Sequence, residues 1–313
     1  LMAQYFTERL EKVFHMIFKS YNQEMAQEGW RQLELIVNNQ HSPEQPNHRA
    51  LRNDMTTSLE NEIDTKEDAL KIANDPEARE IADAYALLAR IYAGPRFTWE
   101  ESNFPENNMR TYQCLHDSIR RCSPIGTLQA LRINGTITPT VEKDMLISFD
   151  DAFRIVYDYA EQGDAFCQYI IGNVFFWRDD DRISLARDMI TPPRLSLAKR
   201  IQQSFQKGSI QERLIALQGT ISNETLQENA TKLAKEWFNK ALDNGLAMFQ
   251  GNLRNIYIDE GDFNNARRVA LTAAELGNPT MMLYTGLDCH EHGKFEDAFT
   301  WFTKGAALGQ AES

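Results

Sequence analysis

Gly245, Gly277 and Gly309 stand 32 residues apart, and residues of matched character keep the same offset around them. Gly261 pairs with Gly293, and Phe263 with Phe295. Ala234, Ala266 and Ala298 follow the same beat, as do Trp237, Val269 and Trp301, and Lys240, Thr272 and Lys304. A period of this length is one supersecondary unit repeated along the chain, and such a unit buries its apolar face only against its neighbours. Each period carries two helical patterns. The first runs to about Glu260 or His292, a turn at Gly261 or Gly293 follows, and the second ends near Leu276 or Leu308. Asn278-Pro279 has the chemistry of a helix start, with Asn as cap and Pro at the first helical position. A glycine just past the second helix is the expected stop, because it adopts the left-handed backbone without a Cβ clash.

Followed upstream, the pattern predicts six units starting near Pro76, Pro124, Asp164, Ser209, Leu246 and Pro279. In the third, a charged loop holds Arg178–Arg182, and Pro192-Pro193 opens the second helix. Residues 1–75 read differently. Phe6, Leu10, Val13, Phe14, Ile17, Phe18, Tyr21 and Met25 recur at helical spacing. Trp30, Leu33, Ile36 and Val37 suggest a second helix, 38–53 a polar loop, and Thr65 a further helix start. These helices are expected to cap the first unit, with a separate partner-binding helix as the alternative.

Three blocks carry a family likeness: the run from Tyr159 through Gly163, Ala165 and Gly172 to Phe176; Ala234-x-x-Trp237-x-x-Lys240-Ala241 ending at Gly245; and Ala298-x-x-Trp301-x-x-Lys304-Gly-Ala306-Ala307 ending at Gly309. They resemble the Sel1-like repeat, a relative of the tetratricopeptide repeat. Arg254 departs from the pattern where the first-helix glycine is expected, and the Gly-x-Gly-Val turn between helices is absent. The resemblance implies an all-α fold, a right-handed superhelical solenoid of antiparallel helix pairs, with 1–75 as an N-terminal helical cap and 76–313 as about six Sel1-like repeats. It also implies a non-catalytic scaffold that binds a partner protein or peptide. The alternative is a regulatory repeat domain of a longer chain, enzymatic or associated with secretion or virulence.

Composition narrows the classes further. With 42% hydrophobic and 25% charged residues, the chain can bury a large core, and it has no apolar run near the ~18 residues of a membrane span. A net charge of -12 disfavours nucleic acid and anionic membranes as partners. The segment after Met2 lacks a secretory signal pattern, so a cytoplasmic protein is expected. Four cysteines form no CxxC, and free thiols are expected. His290 and His292 are two apart and point to different sides of a helix, so no metal site and no cofactor are expected. No nucleophile or phosphate-loop motif marks an enzyme.

The candidate surface is geometric. Stacked helix pairs present their first helices to a groove. After packing roles are assigned to Ala165, Ile171, Gly172 and Phe175, the third unit offers Phe166, Tyr169, Asn173, Phe176 and Trp177 to it. Equivalent positions in later units are Asn255 and Asp259 with Met248 and Ile258, then Leu287 and His290 with Leu283 and Glu291; Arg90 and Arg132 are the earlier ones. Aromatic groups suit a peptide-binding patch, because they bury area at low entropy cost. The last second helix, with Trp301, Phe302 and Ala306, is apolar enough to want a neighbour. That neighbour is another repeat, a second copy in a homodimer, or its own chain if Phe299 and Phe302 turn inward.

Overall fold

The computed structural model describes residues 4–38, 65–99, 102–133, 139–193, 196–219 and 221–309. Most of the polar loop expected over 38–53, and the tail after Gly309, lie outside the described residues. Among the described residues every regular element is helical. The first three helices are α1 (Glu8–Phe18), α2 (Gln23–Asn38) and α3 (Lys66–Asn74). Then come α4 (Pro76–Tyr92), α5 (Asn108–Arg120), α6 (Pro124–Gln129), α7 (Pro139–Lys143), α8 (Phe149–Glu161) and α9 (Ala165–Phe176). They are followed by α10 (Ser184–Ile190), α11 (Leu197–Phe205), α12 (Ile210–Gln218) and α13 (Asn223–Asp243). The last four are α14 (Gly251–Asp259), α15 (Phe263–Glu275), α16 (Pro279–Glu291) and α17 (Phe295–Ala307).

The repeating glycines stop helices by one mechanism. At Gly277 φ is +104°, its N–H donates to the Ala274 carbonyl, and the Asn278 N–H reaches back to Ala273, each at 3.0 Å. The same two bonds recur at Gly163, Gly245, Gly261 and Gly293. This is the Schellman closure, which satisfies carbonyls that a helix end leaves orphaned. Asn278 then starts α16 as expected, its side chain accepting from the Met281 N–H with Pro279 in the first turn.

The helices pack as consecutive pairs: α4 with α5, α6 with α8, α9 with α13, α14 with α15, and α16 with α17. Neighbouring pairs meet through α5 and α6, α8 and α9, α13 and α14, and α15 and α16. The partner of α9 corrects the expected unit boundaries. Ser209 opens no unit and Pro192-Pro193 opens no second helix. The Trp237 helix, α13, packs on α9, and 177–222 lies between the two in sequence. Packing explains the choice: a Cβ on Gly172 of α9 would lie 2.6 Å from the Phe238 ring of α13, so the two axes approach through that glycine. Gly286 and Phe302 repeat the arrangement between α16 and α17, at 2.5 Å. Where Arg254 takes the glycine position, the 32-residue register places the small Ala270 opposite, so bulk has changed sides.

The N-terminal segment reaches beyond the α4–α5 pair. Tyr5 is fully buried, its hydroxyl donating to Asp83 of α4 at 3.1 Å and accepting from the Ile125 N–H of α6 at 3.3 Å. Its backbone N–H donates to Asp164, the N-cap of α9. Farther along, Phe14 lies 4.8 Å from the Phe166 ring of α9, and Phe18 meets Phe249. Tyr21 packs where a Gly277 Cβ would point. The segment from Tyr5 through α1 to Tyr21 thus runs from α4 and α6 past α9 to the turns before α14 and α16. Arg79 holds the start of this run. It is buried beside Asp83 (3.0 Å), donates to the carbonyls of Ala73 and Tyr5, and lies 4.0 Å over the Tyr5 ring. Burial pushes the Asp83 carboxyl up to about 6, against the pull of Arg79, Ser123 and Tyr5.

Candidate functional site

The expected groove residues separate into three environments. Phe166 (4% exposed) lies under α1 between Phe6 and Phe14. It is not open to a partner, because α1 supplies the apolar cover that the groove was expected to lack. Tyr169 (6%) and Asn173 (8%) are also buried, and Phe176 is half-buried against Phe238; Trp177 is exposed. Met248 and Leu283 are buried, whereas Asn255, Asp259, Leu287 and His290 are exposed on α14 and α16. The His290 ring stands 5.4 Å from Phe295, and Phe299 follows one turn along α17. Phe299 is exposed, whereas Phe302 turns toward Gly286.

Residues of α4, α6, α9 and α14 line one cavity of about 420 Å³. Its walls include Arg90 of α4, Arg132 beyond α6, and Tyr169, Asn173 and Trp177 at α9, with Arg96 and Phe97 on the 95–97 turn. Arg132 pairs with Asp179 and lies 5.5 Å over the Trp177 ring. Asp179 and Asp180 are adjacent but pushed apart. Burial lifts Asp179 to about 7, only partly opposed by Arg132. Asp180 is also partly buried, but the guanidinium groups of Arg178 and Arg187, each at 2.6 Å, hold it below its usual value.

The 177–222 segment makes a third surface, missed in the repeat pattern. Helices α11 and α12 pack chiefly on each other. Leu197, Ile201 and Phe205 recur every four residues along α11, and Ile210, Leu214 and Ile215 lie on α12. All six are exposed, Phe205 at 76% and Ile210 at 79%. Lys199, Lys207 and Arg213 stand exposed among them. The four-residue spacing is visible in the sequence, within the second helix expected after Pro192-Pro193. Only the α9–α13 pairing leaves this hairpin outside the stack.

The four cysteines are free; Cys114, Cys122 and Cys167 are buried and Cys289 is half-buried. Cys122 sits in the turn after α5, not on the helix with Cys114. No helix among the described residues is long and apolar enough to cross a membrane. Compared with known proteins, the chain matches no family model, no curated protein and no solved structure.

Proposed function

We propose that the chain is a non-catalytic scaffold of the Sel1-like kind, a superhelical solenoid of helix pairs that docks a partner protein. The observation that carries this reading is the uncovered α11–α12 hairpin. Six large apolar side chains are exposed on two short adjacent helices, and contiguous apolar patches mark interaction sites. The partner is an amphipathic segment with acidic flanks, which suits the apolar stripe and the neighbouring Lys199, Lys207 and Arg213. The recurrent glycine closures and the Trp237 and Trp301 blocks support the repeat reading. The first-helix positions Asn255, Asp259, Leu287 and His290 form the second candidate surface, since α1 already fills the groove at Phe166.

Affinity capture with quantitative mass spectrometry on three forms tests the proposal. The expected result is a protein retained by the wild type, lost with Phe205→Glu plus Ile210→Glu, and kept with Leu287→Asp. Retention that ignores the hairpin variant but fails with Leu287→Asp would move the site to α16. Retention that ignores both would reject both surfaces.

A further inference from the structure

Arg90 is 2% exposed and, among the described residues, has no carboxylate partner. Its Nη1 donates to Gln129 Oε1 at 2.9 Å, and Gln129 is itself held by the Ala86 carbonyl. Nε and Nη2 are covered and make no well-formed hydrogen bond, although the Tyr169 hydroxyl lies near enough to the guanidinium to favour its charge. Around the guanidinium stand the rings of Phe249, Phe166, Tyr169 and Phe97, at 4.7, 5.4, 5.6 and 5.7 Å from its central carbon. The Phe249 ring is delivered by a residue with φ of +70°, a backbone conformation that bulky residues rarely adopt, and it stacks on Tyr169 at 4.5 Å. Burial lowers the affinity of Arg90 for its proton, with Tyr169 opposing, yet an arginine stays charged in a protein. A buried cation without a counter-charge is costly, and faces of aromatic rings offset only part of that cost.

The two donors are not arbitrary. Nε and Nη2 are the parallel pair on one side of the guanidinium, the fork that matches two oxygens of a carboxylate. Asn173 lines the same cavity, is also buried, and its Oδ1 has no donor. Leu128, Ile170, Val174 and Trp177 supply apolar wall. Arg96 and Arg132 add positive charge against the single carboxylate of Asp179.

We infer that this cavity binds a small organic carboxylate once Arg90 and Asn173 turn their covered, unpaired atoms toward it: the acid group on the Arg90 fork, a hydrogen-bond donor on Asn173, and an apolar body against Ile170 and Trp177. The acid is either a free small molecule or the C-terminal carboxylate of a peptide. A single fork with apolar walls suits a monoanion better than phosphate, which asks for more donors. The site is separate from the α11–α12 hairpin and stands or falls without it.

N-acetyl-L-phenylalanine has all three features and serves as the probe, with its C-terminal amide as the uncharged control. Titration of the full chain, followed by melting temperature and tryptophan fluorescence, should show saturable binding of the acid and none of the amide. Arg90→Met should weaken it at least tenfold while melting no lower than the wild type, a result that a structural role for Arg90 would reverse. If Arg90→Met does not fold, Trp177→Ala, at an exposed position of the wall, should weaken binding as well. A short peptide ending in phenylalanine, compared with its amidated form, separates the two sources: preference for the peptide assigns the acid to a chain terminus, preference for the free acid to a small molecule. Binding that survives Arg90→Met, equal binding of acid and amide, tighter binding of inorganic phosphate, or no response to either acid would overturn the inference.

Discussion

The Tyr5 hydroxyl donates to the Asp83 carboxylate at 3.1 Å, joining the N-terminal segment to the first helix pair across 78 residues of chain. The same oxygen accepts from the Ile125 N–H, so one phenol ties the segment ahead of α1 to both α4 and α6. Tyr5→Phe keeps the ring and removes both bonds, leaving a buried N–H without a partner. The expected loss is ~1–3 kcal/mol in urea unfolding. A variant as stable as the wild type would mean that the segment is not anchored there.

Gly172 and Gly261 should respond differently to alanine. At Gly172 the new methyl meets the rigid Phe238 ring, and the α9–α13 pair must separate, at a cost of ~1–3 kcal/mol. At Gly261 the space is open and only the φ of +74° resists, so the loss should be ~1 kcal/mol. Chemical denaturation of the two variants side by side checks the order. A harmless Gly172→Ala would contradict the close approach of these helices.

Trp237 and Trp301 occupy the same register position, each with a lysine over its ring, Lys240 at 4.0 Å and Lys304 at 4.6 Å. Their burial differs: Trp237 also packs on Tyr157 of α8 and is nearly fully buried, whereas Trp301 is half-buried. Trp237→Ala should cost ~3–5 kcal/mol, and Trp301→Ala ~1–2 kcal/mol. Equal losses in unfolding midpoint would refute the difference in burial.

Asp179 gives a pH signature. Its folded value of about 7 lies above the ordinary 3.8, so the folded state holds this proton more tightly than the unfolded state. The associated stability is present in full below about 4 and is lost as pH rises through about 7. Relative to Asp179→Asn, which cannot titrate, the wild type should therefore weaken between pH 4 and 7 and then level off. Unfolding at a series of pH values measures the difference, in which contributions from Asp83 cancel. A difference that is flat or of opposite slope would show that Arg132 outweighs burial.

Parts of the candidate site were legible before any coordinates. Arg90, Tyr169 and Asn173 sit at positions left over when packing roles are assigned, Arg132 and Trp177 lie just past helix ends, and all five line one cavity. What spacing could not convey is that α1 covers Phe166, or that Phe249 turns through a left-handed conformation to close over Arg90. Both depend on contacts between residues far apart in the chain.

The helices, their glycine stops and the 32-residue beat were written in local sequence, because capping, helical periodicity and the left-handed preference of glycine act within a few residues of each other. Tertiary structure decided which helices became partners. Gly172 and Phe238 fit each other across the whole 177–222 segment, so α13 rather than a helix of that segment packs on α9. Leu197, Ile201 and Phe205 have the periodicity of a buried face and remain in water, because periodicity records which residues share a side, not what stands opposite. The same holds for Arg90: its chemistry is in the sequence, but its want of a partner arises only when α4, α9 and the turn at Phe249 close around it.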